Sequence, residues 1–280
     1  MKRNKSFDNK GPLLYLVATP IGNLSEMSKR ALDVLSDMDI IAAEDTRNTK
    51  LLLKNYGIEK EYFSLREHNE NEASQYIIKV LKEGKKVAYV SDAGYPGISD
   101  PGYLLVCNAI KEDIRVSTVC GSSAFLNALV ASGLPTSHFY FYGFLPAKES
   151  EAKTELEEIK KHKETVIFYE SPHRIIKTIL LLNSVLGNRQ AVIGRELTKL
   201  NEEFIRGTLD ELKEIDETTL KGEMVIIVDG CKDENVVDDK QIIDRVGYFV
   251  KKGLSTKDAI EITSEETKIN KNYIYKIVHK

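Results

Sequence analysis

The chain has 280 residues, 42% of them hydrophobic and 30% charged, with a formal net charge of −3. That balance supports one large or two medium domains with a buried core and excludes a disordered or fibrous protein. There is no apolar run of roughly eighteen residues, the opening MKRNKSFDNKGP has no apolar signal segment, and Cys107, Cys120 and Cys231 lack metal-ligand or disulfide spacing, so the composition predicts a cytoplasmic protein with no membrane span, no metal site and a frayed tail over residues 1–12.

From residue 13, apolar runs alternate with helical patterns. LLYLVA is strand-like; after the loop TPIGNL, SKRALDVLSDM carries apolar residues at helical spacing. DIIAAED reads as a second strand. TRNTKLLLKNYG and EASQYIIKVLKEG read as helices stopped by Gly57 and Gly84, since glycine suits the left-handed position past a helix end. KVAYV is a buried strand, followed by the turn-rich SDAGYPGISDPG (91–102), a helix near 102–112 and the strand VSTVC. GSSAFLNALVASG is a loop leading into a helix, with Ser122 or Ser123 as its cap. Strands alternating with helices predict a mostly parallel sheet covered on both faces.

SGLPTS at 132–137 reads as a hinge to a second set. There HFYFYGFL, TVIFYES, QAVIGREL, EEFIRG and GEMVIIV are strands, while ESEAKTELEEIKKH and HRIIKTILLLNSVLG are helices. The acidic CKDENVVDD reads as a linker. The last forty or so residues form three short helices, QIIDRVGYFVKKG, STKDAIEITSEETK and NKNYIYKIVHK. Ser255 and Asp258 resemble a capping box. Residues 240–280 hold nine Lys or Arg against five Asp or Glu, so positive charge is segregated there in an otherwise acidic chain. The predicted organisation is a tail (1–12), an α/β domain (13–134), a second α/β domain (135–230), a linker (231–239) and a basic, helix-turn-helix-like domain (240–280).

In open α/β sheets the ligand crevice lies at the carboxyl ends of the strands. The loops there are Thr19–Leu24, Glu44–Arg47, Ser91–Gly102 and Gly121–Ala124. Their glycines let backbone approach a ligand, and Asp92 and Asp100 can orient polar groups or neutralise a cation; equally, both can cap turns. The first loop has one glycine where the dinucleotide fingerprint needs three, and no P-loop occurs. In the second half, YESPHR and RELTKLNEEFIRG place Glu170, His173, Glu196 and Lys199 at strand ends as acid–base candidates.

These segments, in this order, resemble the tetrapyrrole (corrin/porphyrin) methylase family. LYLVATPIGNL, AAEDTRNTKLLL, SDAGYPGISDPG, SGLPTSHFYFYGFLP, YESPHR, RELTKLNEEFIRGTL and KGEMVIIV carry the resemblance from about Leu14 to Val228. They are most similar to the group within it that modifies small-subunit ribosomal RNA. Tyr95, Cys120 and Asn201 depart from that group's usual threonine, proline and histidine.

The resemblance implies two α/β domains with a ligand cleft between them, a homodimer, and S-adenosylmethionine as methyl donor. It further implies 2′-O-methylation of a cytidine ribose in the 16S rRNA of the 30S subunit, near the decoding centre. Pro20, Gly22, Asp92, Ala93, Gly94, Ser122 and Ser123 fall in the segments matching the donor loops. Lys199 is the first candidate to stabilise or deprotonate the 2′-hydroxyl, with Glu170, His173 and Glu196 behind it. Arg47, Arg174, Lys251, Lys252 and Lys271 are candidates for RNA phosphates. Tyr248, Tyr273 and Tyr275 can stack on unpaired bases or pack the small domain's core. Two rival readings are methylation of a small tetrapyrrole and a ligand-sensing regulator whose tail docks on DNA.

Overall fold

The structure is a computed structural model and describes residues 3, 5, 6, 11–232, 239–267 and 269–279. Most of the predicted tail, and residues 233–238 of the predicted linker, lie outside the described residues. The chain divides into two compact units, residues 1–230 and 231–280.

The first unit contains two five-stranded sheets. The first is built from β1 (Leu13–Val17), β2 (Ile40–Ala43), β3 (Glu61–Ser64), β4 (Val87–Val90) and β5 (Arg115–Val119), in the order β3-β2-β4-β1-β5. Every pairing is parallel. β2 and β4 are buried along their whole length, which is why IIAA and VAYV are unbroken small and apolar runs rather than alternating ones. The four crossover helices are α1 (Lys29–Asp37), α2 (Thr46–Lys54), α3 (Glu70–Lys82) and α4 (Tyr103–Lys111). Ala31, Leu35 and Leu53 of α1 and α2 pack with Ile41, Ala88 and Val90 on one face. Ile77, Leu81, Leu105 and Ala109 of α3 and α4 pack with Ile40, Ala42 and Tyr89 on the other. Ser28 and Asp45 cap α1 and α2 by accepting from the backbone N–H of Ala31 and Arg47.

The second sheet has β6 (Phe139–Phe144), β7 (Thr165–Glu170), β8 (Gln190–Arg195), β9 (Glu203–Thr208) and β10 (Met224–Val228), in the order β6-β7-β10-β8-β9. Only β6 and β7 run parallel; β10 is antiparallel to both neighbours, and β8 to β9. The mixed pattern follows from connection length, because residues 196–202 between β8 and β9 are too few for a crossover helix. One face is covered by α6 (Glu149–Ile159), α7 (Ile175–Leu186) and α8 (Leu209–Leu212), whose Leu156, Ile179, Leu182 and Leu209 pack on Phe168, Ile193 and Ile226. The other face receives α5 (Ala124–Ser132), through Ala128 and Leu129 against Ile167, Val192, Val225 and Ile227. The sequence boundary at 134 groups α5 with the first sheet; its packing is with the second.

The second unit is a three-helix cluster of α9 (Asp239–Lys251), α10 (Thr256–Thr267) and α11 (Lys271–Val278) around Ile242, Val246, Ala259, Ile260 and Ile274. Ser255 accepts from the Asp258 N–H at 3.2 Å, closing the start of α10. Arg245 lies over the rings of Tyr248 and Phe249 and pairs with Glu266 at 2.9 Å. Tyr248, Tyr273 and Tyr275 are all exposed, so none of the three fills this core.

Candidate active site

A cavity of about 350 Å3 opens where loops of the two sheets meet. The first sheet supplies Ala93, Gly94, Tyr95, Ile98, Ser99 and Asp100 after β4. The second supplies Phe144 of β6, Tyr169–Pro172 at and just past the end of β7, Leu197 after β8, and Glu223–Val225 at the start of β10; Ile21, together with Ser123, Ala124 and Phe125 at the start of α5, completes the wall. This is the carboxyl end of the parallel sheet, where the crevice was expected.

The turn-rich loop after β4 is held in place by the first loop. Thr19 and Gly94 exchange backbone hydrogen bonds at 2.9 and 3.0 Å, a two-residue antiparallel bridge. Gly94 adopts φ +74, a left-handed backbone that favours glycine. Gly121 lies against β1's end so closely that an added Cβ would sit 2.9 Å from the Ala18 side chain and 3.1 Å from its carbonyl. Glycine there sets how near the loops of β1 and β5 can come.

Negative charge collects on this side. Burial, reinforced by the charge of Glu44 and partly offset by a hydrogen bond from Ser91, pushes the Asp100 carboxyl up to about 6. Burial and then the Asp92 charge also raise Glu44. Among the described residues Asp100 has no cationic partner. Carboxyl groups raised by burial and by neighbouring like charge mark negative potential, which a cation entering the cavity relieves.

The other side is organised differently. Glu170 is 4% exposed. Its carboxylate accepts from Thr178 Oγ1 at 2.6 Å and the Ser171 N–H at 2.7 Å, with Arg174 at 3.6 Å. Lys199 donates from Nζ to Glu196 at 2.9 Å and to Glu223 at 3.1 Å. Partial burial alone would lower the Lys199 ammonium, but the hydrogen bonds to Glu196 and then Glu223 outweigh it and hold the group above its ordinary value. The Lys199 hydrogen bond holds Glu196 below its own. Lys199 is therefore a fixed cation at neutral pH, suited to stabilising negative charge and unsuited to abstracting a proton. Its stem runs along Gly22, where a Cβ would come within 2.5 Å of the Lys199 Cγ. Two non-glycine residues, Glu196 and Thr198, hold left-handed backbone at φ 49 and 68 in the turn that presents this lysine.

Of the predicted donor residues, Ala93, Gly94 and Ser123 line the cavity; Gly22 packs against Lys199, and neither of these two is among the lining residues. Pro20 is buried beside the Thr19–Gly94 bridge. Ser122 donates to Glu26 at 2.7 Å, and Asp92 accepts from the Asp45 N–H at 3.2 Å and Asn48 Nδ2 at 2.9 Å. Asp92 thus ties the loop to α2, and the carboxylate that reaches the cavity is Asp100. Of the predicted acid–base residues, Glu170 lines the cavity with its oxygens engaged, Glu196 secures Lys199, and His173 is exposed outside the lining. Of the predicted RNA contacts, Arg47 is exposed and paired to Asp45. Arg174 is tied to the carbonyls of Leu145 and Pro146 at 3.1 and 3.2 Å. Lys271 pairs with Glu261 at 2.6 Å, Lys252 lies over the Tyr248 ring, and Lys251 is exposed.

Sequence reasoning missed Glu223, Tyr169 and the apolar wall of Phe125, Phe144 and Met224. Glu223 had a readable signal, a lone carboxylate after glycine at the mouth of the apolar strand MVIIV. Burial pushes the Tyr169 hydroxyl up to about 12. Tyr95, where threonine is usual in the similar group, lines the cavity and accepts from the Gly121 N–H at 3.3 Å.

Residues 13–213 match the family model described as Tetrapyrrole (Corrin/Porphyrin) Methylases. A protein of Halalkalibacterium halodurans named ribosomal RNA small subunit methyltransferase I is 45% identical over all of this chain and 99% of its own length. The proteins of that name from Bacillus subtilis and Vibrio cholerae are 42% and 43% identical, across 99% and 97% of their lengths and 100% and 99% of this chain. Among solved structures, the methyltransferase CobJ superposes with a TM-score of 0.60 at 15% identity, over 79% of this chain and 95% of that one. Uroporphyrin-III-C-methyltransferase from Thermus thermophilus does so with a TM-score of 0.54 at 17% identity, over 78% and 94%.

Proposed function

This chain belongs to the tetrapyrrole (corrin/porphyrin) methylase family, and we propose that it methylates small-subunit ribosomal RNA, moving a methyl group from S-adenosylmethionine to the 2′-oxygen of a cytidine in 16S rRNA near the decoding centre. The full-length similarity to relatives with that printed name, the three-helix unit included, is the observation that carries the reading. The rival substrate, a small tetrapyrrole, gives the three-helix unit no evident purpose. The rival regulator would leave unexplained that the relatives matched over their full length carry a methyltransferase name.

The cavity suits the donor. Its volume lies within the range of small-molecule sites, and its acidic side complements a sulfonium and an ammonium. Asp100 and the backbone around Gly94 would hold the donor's polar end, Ser123 at the start of α5 would meet its carboxylate, and Phe125, Phe144 and Met224 would cover its apolar surface. When bound, the donor supplies a methyl group on a good leaving group. The protein's task is then alignment of the ribose oxygen with that methyl, which is worth several kcal/mol by itself. Lys199 lies near the cavity as a cation that would hold the phosphate backbone and so position the ribose hydroxyl.

The basic face of α9–α11 with Lys251, Lys252 and exposed tyrosines would add contacts to the 30S particle, and the enzyme would work as a homodimer in the cytoplasm, where ribosomes assemble. The test is to map 2′-O-methyl groups on 16S rRNA from cells lacking this chain. One site should lose its methyl group and regain it with the wild-type gene but not with Lys199→Met. Unchanged maps would refute the reading.

A further inference from the structure

We propose that Glu223 is the group that accepts the proton of the attacking hydroxyl, a role resting on the ribose-methylation reading above. The cavity lining contains five ionisable side chains: Tyr95, Asp100, Tyr169, Glu170 and Glu223. Four of them are committed elsewhere. Tyr95 accepts the backbone N–H of Gly121, and burial keeps the Tyr169 hydroxyl protonated, pushed up to about 12. Asp100 lies among the acidic residues of the first sheet, on the side suited to the donor. Glu170 is closed in by Thr178, Ser171 and Arg174.

Glu223 differs in both position and freedom. Its side chain is 80% exposed at the cavity wall, one oxygen takes the Lys199 ammonium at 3.1 Å, and the other makes no hydrogen bond among the described residues. Its backbone is anchored: Glu196 donates its N–H to the Glu223 carbonyl at 3.0 Å, and the Glu223 N–H reaches back to the Glu196 carboxylate at 3.3 Å. Gly222 allows that clasp, because a Cβ there would overlap the Glu196 carboxylate, at 2.0 Å from Oε1. The free oxygen of Glu223 is thus held beside a fixed cation that draws in a ribose–phosphate, and it remains open to water.

The chemistry asks little basicity of this group. As the new oxygen–carbon bond forms and the carbon–sulfur bond breaks, the hydroxyl oxygen becomes oxonium-like and its proton strongly acidic. A carboxylate then suffices as acceptor. The electron pair of the carbon–sulfur bond leaves with the neutral thioether, the O–H pair stays on the ether oxygen, and the proton passes to Glu223 and on to solvent. Lys199, already protonated, cannot take it.

The experiment uses the full-length enzyme, 30S subunits and radiolabelled donor. Glu223→Gln keeps the shape and should lower single-turnover methylation by about 100-fold or more, with donor affinity within twofold of wild type. Glu223→Ala should be slow too, and added formate or acetate should restore its rate at least tenfold by replacing the missing carboxylate, an effect no purely structural role would give. A Glu223→Gln rate within threefold of wild type, a loss accounted for by donor affinity, or no rescue by either carboxylate would overturn the assignment. Wild-type enzyme that leaves 16S rRNA unmethylated would instead sink the underlying reading, so the two failures are distinguishable.

Discussion

The two sheets bordering the cavity treat their carboxylates in opposite ways. On the parallel sheet, burial and the charge of neighbouring carboxylates raise Glu44 and Asp100, with no cation on Asp100 among the described residues. On the mixed sheet, Glu170 faces Arg174, while Glu196 and Glu223 share Lys199. One wall therefore keeps negative potential for a cationic donor, and the other balances its carboxylates with Arg174 and Lys199. Each wall folds around its own hydrophobic clusters.

The contrast can be broken most sharply at Lys199. Lys199→Met should cut single-turnover methylation of 30S subunits by about 100-fold while donor affinity, read by calorimetry, stays within twofold. A matching loss of donor affinity would mean the two walls are not separate.

The acidic wall has its own signature. Asp100 is neutral below its raised value and charged above it, so donor affinity should rise as pH goes from 5 to 7, with a midpoint near 6 in the free enzyme. Asp100→Asn should weaken donor binding by about tenfold at pH 7.5, the scale of one charge-assisted hydrogen bond, and flatten the profile. Stability should run the other way. The folded state holds this proton more tightly than the unfolded chain, so the Asp100 contribution is fully present below its ordinary value of 3.8 and is lost as pH rises through about 6. Thermal denaturation with and without donor would separate the two trends.

Smaller effects probe the supports. Gly121→Ala forces a Cβ against Ala18 and should cost about 1–3 kcal/mol in urea denaturation. Glu170→Gln should cost about 1–3 kcal/mol by loosening Thr178 and Arg174, with donor affinity unchanged. The smallest effect is expected in the second unit. Lys251→Glu with Lys252→Glu should weaken 30S binding severalfold at low salt and lower the logarithmic salt slope by about one to two, leaving the donor site untouched.

Much of the fold was legible because its elements are locally consistent. The buried strands of the parallel sheet announce themselves as apolar runs between turn residues, and Gly57 and Gly84 end the predicted helices at φ +70 and +89. β3 was harder to see, since EYFS is only partly buried at a sheet edge. The placement of α5 was hidden too, because an apolar helix fits either sheet equally well by composition.

Within the site, the sequence alone located the loops: glycine and proline chemistry is short-range and written in the residues that make the turn. It singled out Lys199 because a cation at a strand end stands out from its neighbours. What only the tertiary structure decided was which carboxylate meets which cation. Asp92 and Asp100 lie in one loop, yet one secures α2 and the other enters the cavity. Glu223 joins Lys199 from another strand, 24 positions away. Charge interactions depend on distance and burial in three dimensions, and strand order in the sheet, not spacing along the chain, sets both.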